Sequence, residues 1–132
     1  MHIAVLTSSR ADFGIYLPLL KKLQTDDFFD MDIIAFGTHL EEKYGFTVNE
    51  IIENGFEVRH KLKTTPTGDS PFNIAESIGE TVKKFADFWS ENDFDLVFAF
   101  GDRYEMFAAV SAASPFNIKF FKNIVSFNIF FP

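Results

Sequence analysis

Asp95-Leu-Val-Phe-Ala-Phe-Gly-Asp-Arg103 is an apolar run that stops on a glycine, an acid and a base. Residues 96–100 are apolar without alternation, which predicts a strand covered on both faces, as in a parallel sheet flanked by helices. Gly101 ends the run, so Asp102 and Arg103 stand at the C-terminal edge of that strand. Open α/β sheets bind their ligands at that edge. The N-terminus repeats the arrangement, with Ile3-Ala-Val-Leu-Thr7 followed by Ser8-Ser9-Arg10-Ala11-Asp12. The chain has three arginines, Arg10, Arg59 and Arg103, and two of them follow a strand beside an aspartate. That concentration points to an anionic ligand.

Working outward, apolar runs alternate with helical patterns. Residues 2–7 predict the first strand and residues 13–24 a helix, with Phe13, Leu17, Leu20 and Leu23 on one face. Pro18 fits that helix only near its first turn. Residues 31–36 predict a second strand closed by Gly37-Thr38-His39. Residues 47–54 predict a short helix opened by Thr47-x-x-Glu50 and ended by Gly55. Residues 57–61 predict a third strand, and residues 64–71 a loop by composition. In the long helix that follows, Ile74, Ile78, Val82, Phe85 and Trp89 are spaced for one buried face. After the fourth strand, residues 104–113 predict an Ala-rich helix. The alternation predicts an α/β doubly wound, Rossmann-like parallel sheet in the order 3-2-1-4, with any fifth strand beside the fourth.

Composition narrows the functions. A chain of 132 residues is at most one domain, long enough for a hydrophobic core. A net charge of -7 argues against nucleic acid, which calls for a basic face. No run approaches the roughly 18 apolar residues of a membrane span, and no leader segment is evident, so a cytoplasmic location is expected. With no cysteine there is neither a disulfide nor a thiolate metal site, and His2, His39 and His60 lack metal-ligand spacing.

The site candidates each have a structural alternative. Asp102-x-x-Glu105 is also a helix-capping spacing, shared by Ser9-x-x-Asp12, Thr47-x-x-Glu50 and Ser77-x-x-Glu80. Arg103 weighs against a mere cap, because the start of a helix disfavours a cation unless it meets an anion there. His39 follows the second strand at the same edge, although a lone loop histidine is ordinarily surface. The first turn has neither the dinucleotide fingerprint G-x-G-x-x-G nor a P-loop, and Ser8-Ser9-Arg10 replaces the paired acids of a receiver domain.

Ser8-Ser-Arg-Ala-Asp-Phe-Gly14, Phe36-Gly-Thr-His-Leu40 and Gly101-Asp-Arg-Tyr-Glu105 together resemble the N-terminal half of hydrolysing UDP-N-acetylglucosamine 2-epimerases. The similarity is to the branch that supplies N-acetylmannosamine-type sugars for sialic and related nonulosonic acids, and it runs from residue 1 to about 113. The resemblance implies two Rossmann-like domains of the glycosyltransferase-B type with UDP-N-acetylglucosamine between them. It implies elimination of UDP with loss of the C2 proton, then addition of water, with no redox cofactor or obligatory metal, in an enzyme that can be a homo-oligomer. By position it assigns Arg10 and Asp12 to the substrate cleft, His39 beside the sugar, Asp102 as a catalytic acid and Arg103 to the nucleotide site. A sugar-nucleotide glycosyltransferase and a flavodoxin-like binding module are the alternatives.

Residues 116–132 depart from this pattern. Six Phe, three Asn, three Ile and two Lys make up fourteen of the seventeen, the residues that A/T-only codons favour. The expectation is a domain over residues 1–115 and an aberrant, out-of-frame apolar tail over 116–132. A fifth strand over 117–121 is the alternative for the start of that tail. The family's later catalytic acid and nucleotide-binding domain are not in the sequence, which predicts an inactive fragment.

Overall fold

The computed structural model describes residues 1–64, 68–101 and 103–122. Asp102 and the tail from residue 123 onward therefore lie outside the described residues. The sheet comprises β1 (His2–Thr7), β2 (Asp30–Phe36), β3 (Val58–Leu62), β4 (Leu96–Ala99) and β5 (Phe120–Lys122). Its order is β3-β2-β1-β4-β5, with every pairing parallel. This is the doubly wound arrangement expected, with the fifth strand beside the fourth. That strand is shorter and later than residues 117–121, because Asn117 adopts a left-handed conformation at φ 54° and breaks the extension.

Successive strand residues face opposite sides of a sheet. Ala4, Leu6, Ile34, Phe36, Val97 and Ala99 share one face, which α3 (Pro71–Glu91) and α4 (Tyr104–Ala113) cover. Phe85 is completely buried there, its ring centroid 4.8 Å from that of Phe36, and the Trp89 indole donates to the Ala109 carbonyl at 3.1 Å. Val5, Ile33 and Ala35 share the other face with Phe13, Tyr16 and Leu20 of α1 (Arg10–Gln24) and Val48 and Ile51 of α2 (Val48–Glu53). Burying each large apolar side chain contributes about 1.5–3 kcal/mol.

Several local expectations need correction. Helix α1 begins at Arg10, three residues before the apolar periodicity, because Ser9 caps it and Asp12 returns the bond to the Ser9 amide. Pro18 therefore sits in the helix interior, where its ring crowds the carbonyl four residues back. Both Gly14 and Pro18 are exposed, so water can take up that carbonyl. In α3 the fully buried line is Ser77, Thr81, Phe85, Phe88 and Trp89, while Ile74, Ile78 and Val82 are only partly covered. Two hydroxyl side chains and three aromatics make up the buried line, and the branched apolar residues flank it. Strand β4 is not sealed on both sides: Val97 and Ala99 are buried, but Leu96 and Phe98 are half-buried. On that second face Phe98 and Phe100 pack against the cluster that includes Phe13, Tyr16 and Leu20 of α1, with Phe121 beside them.

The third arginine is held away from the ligand edge. Asp32, 5 % exposed in the first half of β2, accepts from Arg59 Nη1 at 2.6 Å, with His2 Nε2 and His60 Nε2 at 3.2 and 3.3 Å. Hydrogen bonds from Arg59 and His60 to this one carboxylate thus tie β3 to β2 at the opposite end of the sheet.

Candidate functional site

Arg10, Asp12 and Arg103 line one cleft past the C-terminal ends of β1, β2 and β4. Its volume is about 490 Å³, and its other walls include Ile15, Thr38, Tyr44, Thr47 and Gly101. Arg10 reaches outward, its side chain 74 % exposed, and its Nε pairs with Glu50 of α2 at 3.1 Å. Thr47-x-x-Glu50 is consequently not a capping box: Thr47 has helical backbone angles and its side chain caps nothing. Lys21 donates to the Asn54 carbonyl and lies over the Phe56 ring, so it does not serve this cleft.

Asp12 is a different kind of group from Arg10. It is 4 % exposed and accepts from the Thr7 hydroxyl, the Ser8 amide and hydroxyl, and the Ser9 amide. Burial nevertheless raises its pKa above the ordinary carboxylate value, outweighing those four donors. Its chief work in the structure is to close the first turn of α1 and hold the loop after β1. Gly101, at φ 120°, lies against it, with the position of a Cβ only 3.7 Å from Asp12 Oδ2. The two strand-end motifs recognised in the sequence therefore touch.

His39 corrects the sequence reading most. It belongs to a single helical turn (Gly37–Leu40) after β2, and it is completely buried behind the cleft wall. Its Nε2 lies 2.8 Å from the Thr7 hydroxyl and its Nδ1 2.8 Å from the Thr47 hydroxyl. The ionised Asp12 carboxylate can only accept, so Thr7 donates to it and accepts from His39 Nε2–H; Nδ1 then accepts from Thr47. Burial lowers the His39 pKa to about 4, so the ring is neutral near pH 7. The result is a directed chain, Thr47 to His39 to Thr7 to Asp12, with both ends at the cleft and its middle sealed. Thr7 and Thr47 carried no functional signal in the sequence; hydroxyls facing a histidine become visible only when three loops are brought together.

Arg103 also has a partner the sequence reading did not give it. Its Nε and Nη2 donate to the two carboxylate oxygens of Glu105 at 3.1 and 3.0 Å, and Glu105 is 1 % exposed. That bond raises the Arg103 pKa further. Glu41, close by, has its pKa raised by burial. Arg103 itself is the residue before α4 and makes no side-chain cap; Asp102, the expected catalytic acid, falls outside the described residues. Among the described residues no group of three or more His, Asp or Glu is placed to hold a metal ion.

A match to the family model described as UDP-N-acetylglucosamine 2-epimerase covers residues 21–121. The chain belongs to the UDP-N-acetylglucosamine 2-epimerase family. Over 116 residues it is 34 % identical to the Polysialic acid biosynthesis protein P7 of Escherichia coli, covering 88 % of this chain and 30 % of that protein. It is likewise 34 % identical to the UDP-N,N'-diacetylbacillosamine 2-epimerase (hydrolyzing) of Legionella pneumophila, covering 88 % of this chain and 31 % of that one. The fold matches the UDP-GlcNAc 2-epimerase of Neisseria meningitidis, solved bound to UDP-GlcNAc, with a TM-score of 0.76 at 17 % identity, over 92 % of this chain and 31 % of that one. The chain thus spans about a third of the length of these family members. No helix among the described residues is long and apolar enough to cross a membrane.

Gly37 links the loops of this epimerase-family cleft. It has φ 61°, and a Cβ there would lie 2.9 Å from the Ser8 carbonyl oxygen. That carbonyl already accepts from the Thr38 amide and hydroxyl. Gly37→Ala is expected to cost about 2–4 kcal/mol, combining left-handed backbone strain with overpacking. Urea denaturation checks this, and a loss below ~0.5 kcal/mol would mean the two loops are not locked together.

Proposed function

We propose that the cleft between Arg10 and Arg103 binds the diphosphate of a UDP-sugar. In this reading residues 1–115 form the N-terminal unit of a hydrolysing UDP-N-acetylglucosamine 2-epimerase of the N-acetylmannosamine-producing branch. The observation that carries the reading is that two of the three arginines converge on one cleft at the ligand edge of the sheet, amid Ser9, Thr38 and Thr47. Arginine forks and hydroxyls are the donors a diphosphate requires. UDP leaves as the C1–O bond breaks and the C2 proton is removed; water then adds to the glycal to give N-acetylmannosamine. Asp102 is assigned the proton transfer at the reacting carbons, a task that suits a carboxylate adjacent in sequence to a cation.

His39 enters this reading as a support rather than a contact. Neutral and bonded at both nitrogens, it holds Thr47 and Thr7 in place, and through Thr7 it holds Asp12. Because the chain spans about a third of its relatives, the complete reaction is proposed for a full-length protein. The 132-residue chain alone is expected to bind UDP without turning over UDP-N-acetylglucosamine.

Titrating the isotopically labelled chain with UDP tests the assignment. Amide shifts should concentrate at Ser9, Arg10, Thr38, Thr47, Gly101 and Arg103. Arg10→Ala should weaken binding by about 1.5–3 kcal/mol, roughly 10- to 150-fold, as for a charged hydrogen bond. Lys21→Ala should leave it nearly unchanged. Shifts clustered elsewhere, or equal losses from the two substitutions, would remove the phosphate role from Arg10.

A further inference from the structure

We propose that Glu105 is a positioning residue, whose buried carboxylate aims the Arg103 guanidinium into the cleft so that it meets an anion as a fixed fork. This rests on the anion-binding reading of the cleft given above. Both oxygens of Glu105 are engaged by Arg103, one by Nε at 3.1 Å and the other by Nη2 at 3.0 Å. This parallel, two-point pairing restricts the guanidinium plane as a single contact cannot. The two partners differ in exposure: the Glu105 side chain is 1 % exposed, while that of Arg103 is 41 % exposed and lines the cleft. The carboxylate is thus the anchor and the guanidinium the presented group.

Several features make Glu105 a stable anchor. It lies in the first turn of α4, whose free amides favour a negative charge. Gly37 lies beside it, where a Cβ would stand in ordinary contact with Glu105 Cγ at 3.5 Å. The charged and titratable groups acting on the pair are Glu41, Tyr44 and Tyr104. With Nε and one Nη2 hydrogen committed to Glu105, Arg103 keeps the Nη1 hydrogens and the second Nη2 hydrogen for a ligand. Because Glu105 compensates its charge, the pair recognises an anion by direction more than by net charge. An arginine already held in this way also loses less side-chain freedom on binding.

The test uses the 132-residue chain and Glu105→Gln, read two ways. Hydrogen exchange at the arginine Nε–H groups reports the anchor without any ligand, and titration with UDP and with pyrophosphate reports its consequence. In the wild type the Arg103 Nε–H should exchange at least tenfold more slowly than that of free arginine. E105Q should abolish that protection and weaken both ligands about tenfold. E105D, which keeps the charge on a shorter arm, should recover part of the affinity. Unchanged protection in E105Q, or E105Q and E105D both binding UDP as the wild type does, would overturn the proposal. If the wild type binds neither ligand, the anion-binding reading fails, and with it the ligand role of Glu105, whatever the exchange rates show.

Discussion

Acidification from about pH 7 to about pH 4 is expected to cost the fold about 3 kcal/mol through His39 alone. The ring is completely buried, and burial lowers its pKa from the ordinary 6.5 to about 4. Below pH 6.5 the unfolded chain takes up a proton that the folded chain refuses. Stability from this group is therefore fully present above 6.5 and lost progressively as the pH falls toward 4. Asp12 acts in the opposite sense. Its folded pKa is raised above 3.8, so its protonation favours the fold at the acid end and offsets part of the loss. Replacing His39 with Gln removes the titrating group and should flatten the stability curve between pH 6.5 and 4, while lowering stability at pH 7 by about 1–3 kcal/mol through the broken threonine bonds. Urea denaturation at several pH values gives both numbers. Parallel curves for the wild type and His39→Gln would show that another group drives acid unfolding.

Asp12→Ala is expected to destabilise the chain by about 3–5 kcal/mol. Four donors lose their acceptor at once, two of them backbone amides, in a loop that is otherwise buried. The capping box of α1 is lost with them. In a domain whose total stability is about 5–15 kcal/mol, that is a large share. Asp12→Asn, which keeps one carbonyl oxygen, should lose about half as much. The measurement separates a scaffold role from a substrate role. If Asp12→Ala melts within ~1 kcal/mol of the wild type and yet fails to bind UDP, Asp12 acts on the ligand and not chiefly on the loop.

The architecture was legible because parallel sheets leave strong local marks. Unbroken apolar runs at residues 3–6 and 96–100, with helical periods between runs, specify strands, helices and their alternation. That alternation leaves few ways to order the strands. The cleft was legible at low resolution for the same reason: a residue just past a parallel strand has no other edge to occupy. Helix starts were less clear. At α1 the cap at Ser9 precedes the first apolar position, and periodicity does not register a cap.

What the sequence by itself determined was the set of elements, the parallel sheet and the delivery of Arg10 and Arg103 to one edge. Tertiary structure alone decided which polar groups share a partner there. Ser77 and Thr81 are buried on α3 in line with Phe85, Phe88 and Trp89, and a search for apolar stripes passes over hydroxyl side chains. His39 lies in a loop that reads as surface, and it is sealed only because Thr7 and Thr47, thirty-two residues before it and eight after it, close on its two nitrogens. Glu105 has the spacing of a cap, and the same spacing serves a guanidinium two residues earlier. Local spacing constrains the backbone over a few residues, whereas hydrogen-bond partners are chosen by distance in space. Those distances exist only after β1, β2 and β4 have come into register.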